Sequence, residues 1–272
     1  MLLLHGHNPL TTTGALRQRL LLGLGELFHL QRGDEHISIH GEMESLEFIK
    51  IDVSHVHAEL TGTPPLPGKV TSTVCELPLQ RLEFNAAPVY LGEGAEMNLH
   101  VRAESILLAV LADAGGRQWL ALKRAEQGRA EVDIQEGQME KILLDGLRQA
   151  VAKHKITVDT GEIALEQLGP TDVRMQLSIQ AHKAFLKGTI EVGGHLRLDA
   201  HLNIHPTRLS CVGHGMLGKV AVPFLTPHLA QWEAHPFPLL GHAFGEIVCH
   251  EPRITLGAGN ALHVEAEFGS LP

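Results

Sequence analysis

His195-Leu-Arg-Leu-Asp-Ala-His-Leu-Asn-Ile-His205 alternates without a break. Leu196, Leu198, Ala200, Leu202 and Ile204 take one side, and His195, Arg197, Asp199, His201, Asn203 and His205 take the other. A period of two gives a strand one apolar and one polar face, the mark of an antiparallel sheet covered on one side only. The same alternation extends in both directions. It predicts strands over Val173–Ile179, Phe185–Val192, Glu246–Leu256 and Ala261–Phe268, with a turn at Gly257–Asn260. Towards the N-terminus it predicts a strand at Ile37–Ile39 and another over Phe48–Leu60. There Ile49, Ile51 and Val53 give way after His55 to Val56, Ala58 and Leu60, a parity change that a β-bulge explains. Short strands are predicted at Lys69–Cys75, Leu79–Tyr90, Met97–Val101 and Trp119–Lys123, and Pro64-Pro-Leu-Pro-Gly68 is a turn.

Four stretches change to helical spacing. Ala15–Leu30 places Leu16, Leu20, Leu24 and Leu27 on one face. Ala103–Ala114 does so with Leu107, Val110 and Leu111, and Gly115-Gly116 is expected to stop it. Val132–Lys153 carries the clearest stripe, of Met139, Ile142, Leu143, Leu147, Ala150 and Val151. Gly218–Trp232 is a helix interrupted by Pro223 and Pro227. Helices follow groups of strands instead of alternating with each strand, so the fold class is α+β with long antiparallel sheet. Residues 1–272 are expected to form a single domain, and the order of elements allows two pseudo-repeated halves, about 15–115 and 116–268.

Composition narrows the function. Hydrophobic residues make up 44 % of the 272 but aromatics only 4 %, with one Tyr, so the interior is aliphatic. A chain poor in stacking residues and carrying a formal charge of −9 is a poor partner for nucleic acid. The 19 histidines qualify that charge. Their protonation in mild acid would bring it towards zero, which predicts tighter association with anionic surfaces as pH falls, read by liposome pelleting at acidic and neutral pH. Cys75, Cys211 and Cys249 have no metal or disulfide spacing. Leu2-Leu3-Leu4 is too short for a secretory signal, and no apolar run reaches the ~20 residues of a membrane span, so a cytoplasmic or peripheral membrane location is expected.

A one-sided sheet under a few aliphatic helices encloses either a filled core or a hydrocarbon ligand, and each methylene taken from water gains about 0.8 kcal/mol. On facing alone, a ligand would lie against Leu107, Val110, Leu111, Leu143, Leu147, Leu196, Leu198 and Phe224. Trp232 and Phe237 flank the joint His235-Pro-Phe-Pro238 and suit a membrane-contact lip, or equally a core anchor. His55 and His57, two apart on a strand, would point to one side and fit a shared metal, but no further ligand is visible nearby. His201 and His205 lie on an outward strand face. Gly213-His214-Gly215-Met216 lacks a nucleophilic Ser, and Gly193-Gly194 lacks the pattern of a phosphate loop. With no interpretable acid/base pair, a non-enzymatic protein without cofactor or metal is expected.

Three places resemble the LmeA-like phospholipid-binding family, related to the tubular lipid-binding (TULIP) proteins. The first is the opening helix running into Ile37–Ile51. The second is Ala95-Glu-Met-Asn-Leu-His-Val-Arg-Ala-Glu-Ser-Ile-Leu-Leu-Ala-Val-Leu111, similar to that family's strand into a short helix. The third is the tail, Phe237-Pro-Leu239, then Phe244-Gly-Glu-Ile-Val248, then Gly259–Phe268, similar to its Pro/Leu joint and Phe-Gly step before a last hairpin. The likeness runs in order from Ala15 to Phe268. It implies a long curved antiparallel β-sheet wrapped around amphipathic helices, an apolar groove, and a phospholipid or fatty-acid ligand. The abundant histidine, the His-Pro-Phe-Pro joint and the lack of an export signal depart from it. Two alternatives stand beside it: a scaffold with a solid core and a His-rich sheet face, and a His-based metal-binding protein.

Overall fold

The structure, a computed structural model, describes residues 2–6, 10–30, 35–58, 68–92, 94–152, 156–200, 203–234, 237–238 and 247–270. Its elements in chain order are β1 (Leu2–Leu4), α1 (Thr13–Gly25), β2 (Ile37–Glu42), β3 (Ser45–Asp52), β4 (Val56–Ala58), β5 (Val70–Leu91), β6 (Ala95–Asp113) and β7 (Gln118–Ile134). Then come α2 (Gln138–Ala152), β8 (Thr157–Gln167), β9 (Asp172–Lys183), β10 (Leu186–Leu198), β11 (Asn203–His214), α3 (Gly215–Ala234), β12 (Phe237–Pro238), β13 (Ile247–Leu256) and β14 (Leu262–Ser270). The fold is α+β and dominated by strands. The chain divides into two compact units, one of Met1–Val132, Leu240–Glu251 and Glu265–Pro272, the other of Asp133–Leu239 and Pro252–Val264.

The first unit is built on long strands. β5 runs for 22 residues and β6 for 19, paired antiparallel along almost their whole length. β3 and β4 run parallel to β5, so the large sheet is mixed and not purely antiparallel as expected. The parity change at His55 is present, and its form is a break and not a bulge. His55 has φ 62° in the turn separating β3 from β4, and Ile49, Val53 and Val56 are all buried. Helix α1 begins where the Thr12 hydroxyl accepts from the Ala15 amide (3.2 Å), a side-chain N-cap. It buries Leu16, Leu20 and Leu24 against the core shared with Leu4 and Ile37. A Cβ on Gly23 would lie 2.1 Å from the Leu3 carbonyl oxygen, so only glycine lets α1 approach β1 this closely.

The expected helix over Ala103–Ala114 is the second half of β6. Its burial changes parity from Ala103 to Ile106, Leu108 and Val110, and Ser105 between them has φ 51°. A parity change in a strand mimics helical i, i+3, i+4 spacing, and the other face is partly covered as well, so the run looked amphipathic with the wrong period. Gly115-Gly116 accordingly is the turn of the β6–β7 hairpin, with Gly116 at φ 75°. Asp113 closes that hairpin. Its carboxylate accepts from the Gly115 (2.9 Å), Arg117 (3.0 Å) and Gly68 (3.2 Å) amides, from Arg117 Nε (2.9 Å) and from the buried Trp119 indole (3.1 Å).

The second unit holds a five-stranded sheet in the order β12-β11-β10-β9-β8, antiparallel throughout. The stretch His195–His205, one strand by its alternation, is a hairpin. β10 ends at Leu198, and Asp199 holds the turn by accepting from the Asn203 amide (2.9 Å) and side chain (3.1 Å). Leu198 faces Ile204 across the ladder, so the alternation passes through the turn in phase. The neighbouring Gly259–Asn260 turn is sewn to β8 by Asn260, which donates to the Ile163 carbonyl (2.8 Å) and accepts from the Leu165 amide (3.0 Å). Residues 64–67, part of a predicted turn, lie outside the described residues.

Candidate functional site

The second unit places both of its helices on one face of its sheet. Residues 190, 192, 194, 196 and 198 of β10 share that face with residues 173, 175, 177 and 179 of β9. α2 lies along β8: Leu144 packs with Val158, Ile163, Leu177 and Ile179, and Gly161 makes room for the Leu144 methyls. α3 lies along β11 and β10. The opposite face is polar. It carries Ser178, Gln176, Glu191, His195 and Arg197, and at its edge Arg174 pairs with Glu166 (2.6 Å).

The glycines of Gly213-His214-Gly215-Met216 serve the approach of α3 to the sheet. A Cβ on Gly213 would lie 2.2 Å from the Gly218 carbonyl oxygen, and one on Gly188 would lie 2.4 Å from the Gly218 nitrogen. The first turn of α3 thus rests backbone against backbone on β10 and β11, and Gly188 bridges to Gly215. From there α3 runs back along β11, where the Glu233 carboxylate accepts from the Leu209 amide (2.6 Å). The helix is uninterrupted although it contains Pro223 and Pro227. Leu217 and Leu229 are buried, while Met216 and Val220 are 66 % and 55 % exposed, so apolar residues lie on its outer as well as its inner side. Among the described residues no helix is long and apolar enough to cross a membrane.

Five of the eight expected lipid-contacting residues fall in this unit. Leu198 is buried and Leu196 half-buried, both on the helix-covered face of β10. Leu143 and Leu147 belong to α2 and Phe224 to α3, with side chains outside the described residues. The other three are corrected. Leu107, Val110 and Leu111 are on strand β6 of the first unit, where Val110 is fully buried and Leu107 and Leu111 are half-buried on the opposite face. They do not form one helical stripe, because adjacent strand residues point to opposite sides. Trp232 is 46 % exposed in the last turn of α3. Phe237 pairs with Ile204 as part of β12, its side chain outside the described residues.

The histidines are mostly engaged one by one. His55 sits in a turn and His57 lies against the Tyr90 ring (5.1 Å), so the two do not share a strand face. His205 meets Asp199 (2.6 Å), and His201 lies outside the described residues. Among the described residues no three His, Cys, Asp or Glu side chains converge as a metal site would require. Partial burial pushes the Cys75 and Cys211 thiols up from their ordinary range.

Open clefts lie in the first unit, and among the described residues two of them exceed about 500 Å³. One, of about 530 Å³, is walled by Arg102, Glu126, Arg129, His250 and Glu267, with Arg129 held by Glu131 (2.5 Å) and Glu265 (3.0 Å). The other, of about 700 Å³, runs past Leu21, Leu22, Phe28 and Leu30 beside the His5–Glu26 pair (2.8 Å). Neither contains a residue expected to hold lipid. No family model, curated protein or solved structure matches this chain.

Proposed function

We propose that the protein is a non-enzymatic lipid binder that holds a phospholipid or fatty-acid chain in its second unit and works at a membrane surface. The carrying observation is α3, a helix that buries Leu217 and Leu229 and exposes Met216, Val220 and Trp232, seated on an aliphatic sheet face whose β8 end is covered separately by α2. Large apolar side chains on the outer side of a helix are stabilised by apolar cover there as well. The sheet gives one side, and acyl chains or the bilayer interface give the other. Leu196 and Leu198 lie on the strand between the helices, with Leu143 and Leu147 contributed by α2 and Phe224 by α3. A TULIP-like wrap of sheet around helices is part of the same proposal. The packed cluster of Leu144, Val158, Ile163, Leu177 and Ile179 supports a second reading, a scaffold with a solid core that presents the polar sheet face.

Native mass spectrometry of protein purified from cells separates the two. The lipid binder is expected to carry added mass in the phospholipid or fatty-acid range. Leu196→Trp, which fills space on the half-buried strand, is expected to lower that occupancy about tenfold, the equivalent of ~1.4 kcal/mol. Protein that carries no such mass, and takes none up from added fatty acid, is the scaffold.

A further inference from the structure

The β9–β10 hairpin tip carries the most exposed large apolar side chain among the described residues, Phe185, at 87 %. The turn is tight: Lys183 and Leu186 pair across it, and Ala184 sits at φ 52°, where glycine is the easy choice. α3 starts at the same end of the second unit, because Gly188 of β10 bridges to Gly215. Met216 and Val220, both exposed, lie in the first turns of α3 and so at this end of the unit. Lys183 and Lys187 flank the turn on opposite faces of the hairpin, and Lys219 lies near the start of α3; all three are exposed, and none is in an ion pair among the described residues. The nearby carboxylates of Asp159 and Glu191 are each met by a histidine, His182 at 2.8 Å and His214 at 3.6 Å.

We infer that this end of the second unit, with Phe185 at the hairpin tip, Met216 and Val220 at the start of α3, and Lys183, Lys187 and Lys219 at the same end, is a docking surface for anionic bilayers. The inference rests on the proposed function in placing the protein at a membrane, and it names the surface and the lipid charge. Charge complementarity carries it: in a chain of net −9, three exposed lysines lie together at this end. Nucleic acid is also anionic, but its phosphate backbone offers no place to bury an isolated Phe, Met and Val. A bilayer offers both, hydrocarbon under the headgroups for the apolar residues and negative charge at the depth where lysine ammonium groups snorkel. Three lysines near an anionic surface multiply partitioning by roughly a hundredfold.

The test is sedimentation of the full chain with vesicles of phosphatidylcholine alone and of phosphatidylcholine with phosphatidylserine. The protein is expected to partition far better onto the serine-containing vesicles and to come off in high salt. Lys183→Gln/Lys187→Gln/Lys219→Gln should lose about a hundredfold on those vesicles, and Phe185→Ser about tenfold, each keeping its circular dichroism. Equal partitioning onto both vesicle types, or variants that bind like the parent, overturns the inference, as does a parent that prefers a single-stranded oligonucleotide to the vesicles. Retained lipid is measured on the same samples. Variants that stay in solution yet keep their lipid support the docking surface and leave the proposed function standing. Parent protein that carries no lipid, but sediments through the lysines and Phe185, supports the docking surface and defeats lipid holding by the second unit.

Discussion

Gly213→Val is expected to destabilise the second unit by about 3 kcal/mol or more, at the upper end of what overpacking costs. The new side chain would start 2.2 Å from the Gly218 carbonyl oxygen and 2.8 Å from a Val222 methyl. Gly218 cannot yield, since its own backbone is wedged against the sheet, where a Cβ on it would stand 2.6 Å from the Thr189 carbonyl oxygen. The helix must lift, and buried Leu217 and Leu229 lose their cover at about 1.5–3 kcal/mol each if fully exposed. Urea denaturation checks this, with Gly25→Ala as the control, since nothing lies within 4 Å of a Cβ there. A Gly213→Val midpoint equal to the parent's would show that α3 is not held by this backbone approach.

Trp119→Ala is expected to cost about 3–5 kcal/mol, through the cavity left by a large aromatic. Trp119 is 1 % exposed and its indole donates to Asp113, so truncation also removes a donor from a buried carboxylate. The same carboxylate makes stability depend on pH. Burial by itself would raise its pKa, but the hydrogen bonds from the Trp119 indole, the Arg117 and Gly68 amides and the Arg117 side chain outweigh it and hold the group far below the ordinary carboxylate range. A pKa depressed in the folded state gives stability that is complete above the unfolded value of about 4 and is lost as pH falls below it. Asp113→Asn should flatten that acid limb of the melting-temperature profile and lower the neutral plateau. An acid limb unchanged by Asp113→Asn would assign it to other carboxylates.

Much of the architecture was legible in the residue pattern. Period two located β2, β3, β9, β10, β13 and β14, and Leu16, Leu20 and Leu24 located α1, because in these segments one face is buried and the other wet. The pattern failed where that condition failed. β6 is apolar on both sides over Ile106–Val110, so its period carried no information and its parity change at Ser105 imitated a helix. β5, expected as two short strands, runs unbroken through Glu76–Pro78. The candidate site was legible only in part. Leu196 and Leu198 were placed on the covered face by alternation, whereas Leu107 and Leu111 were assigned by a helix that does not exist. Phe185 passed as an ordinary strand residue, for nothing local distinguishes an aromatic that starts a strand from one that crowns a turn.

By itself the sequence determined the α+β class, the two-faced strands and the aliphatic, acidic, histidine-rich character of the chain. All of these depend on side-chain chemistry at spacings of two to four residues. Tertiary structure alone decided that β3 and β4 run parallel to β5, that two helices share one face of the second sheet, and that the Phe185 turn and the start of α3 lie at the same end of the second unit. Those outcomes depend on which backbones can approach each other. The glycines at 188, 213 and 218 settle it for α3 by leaving out the side chains that would hold it away, and no local periodicity records so distant an absence.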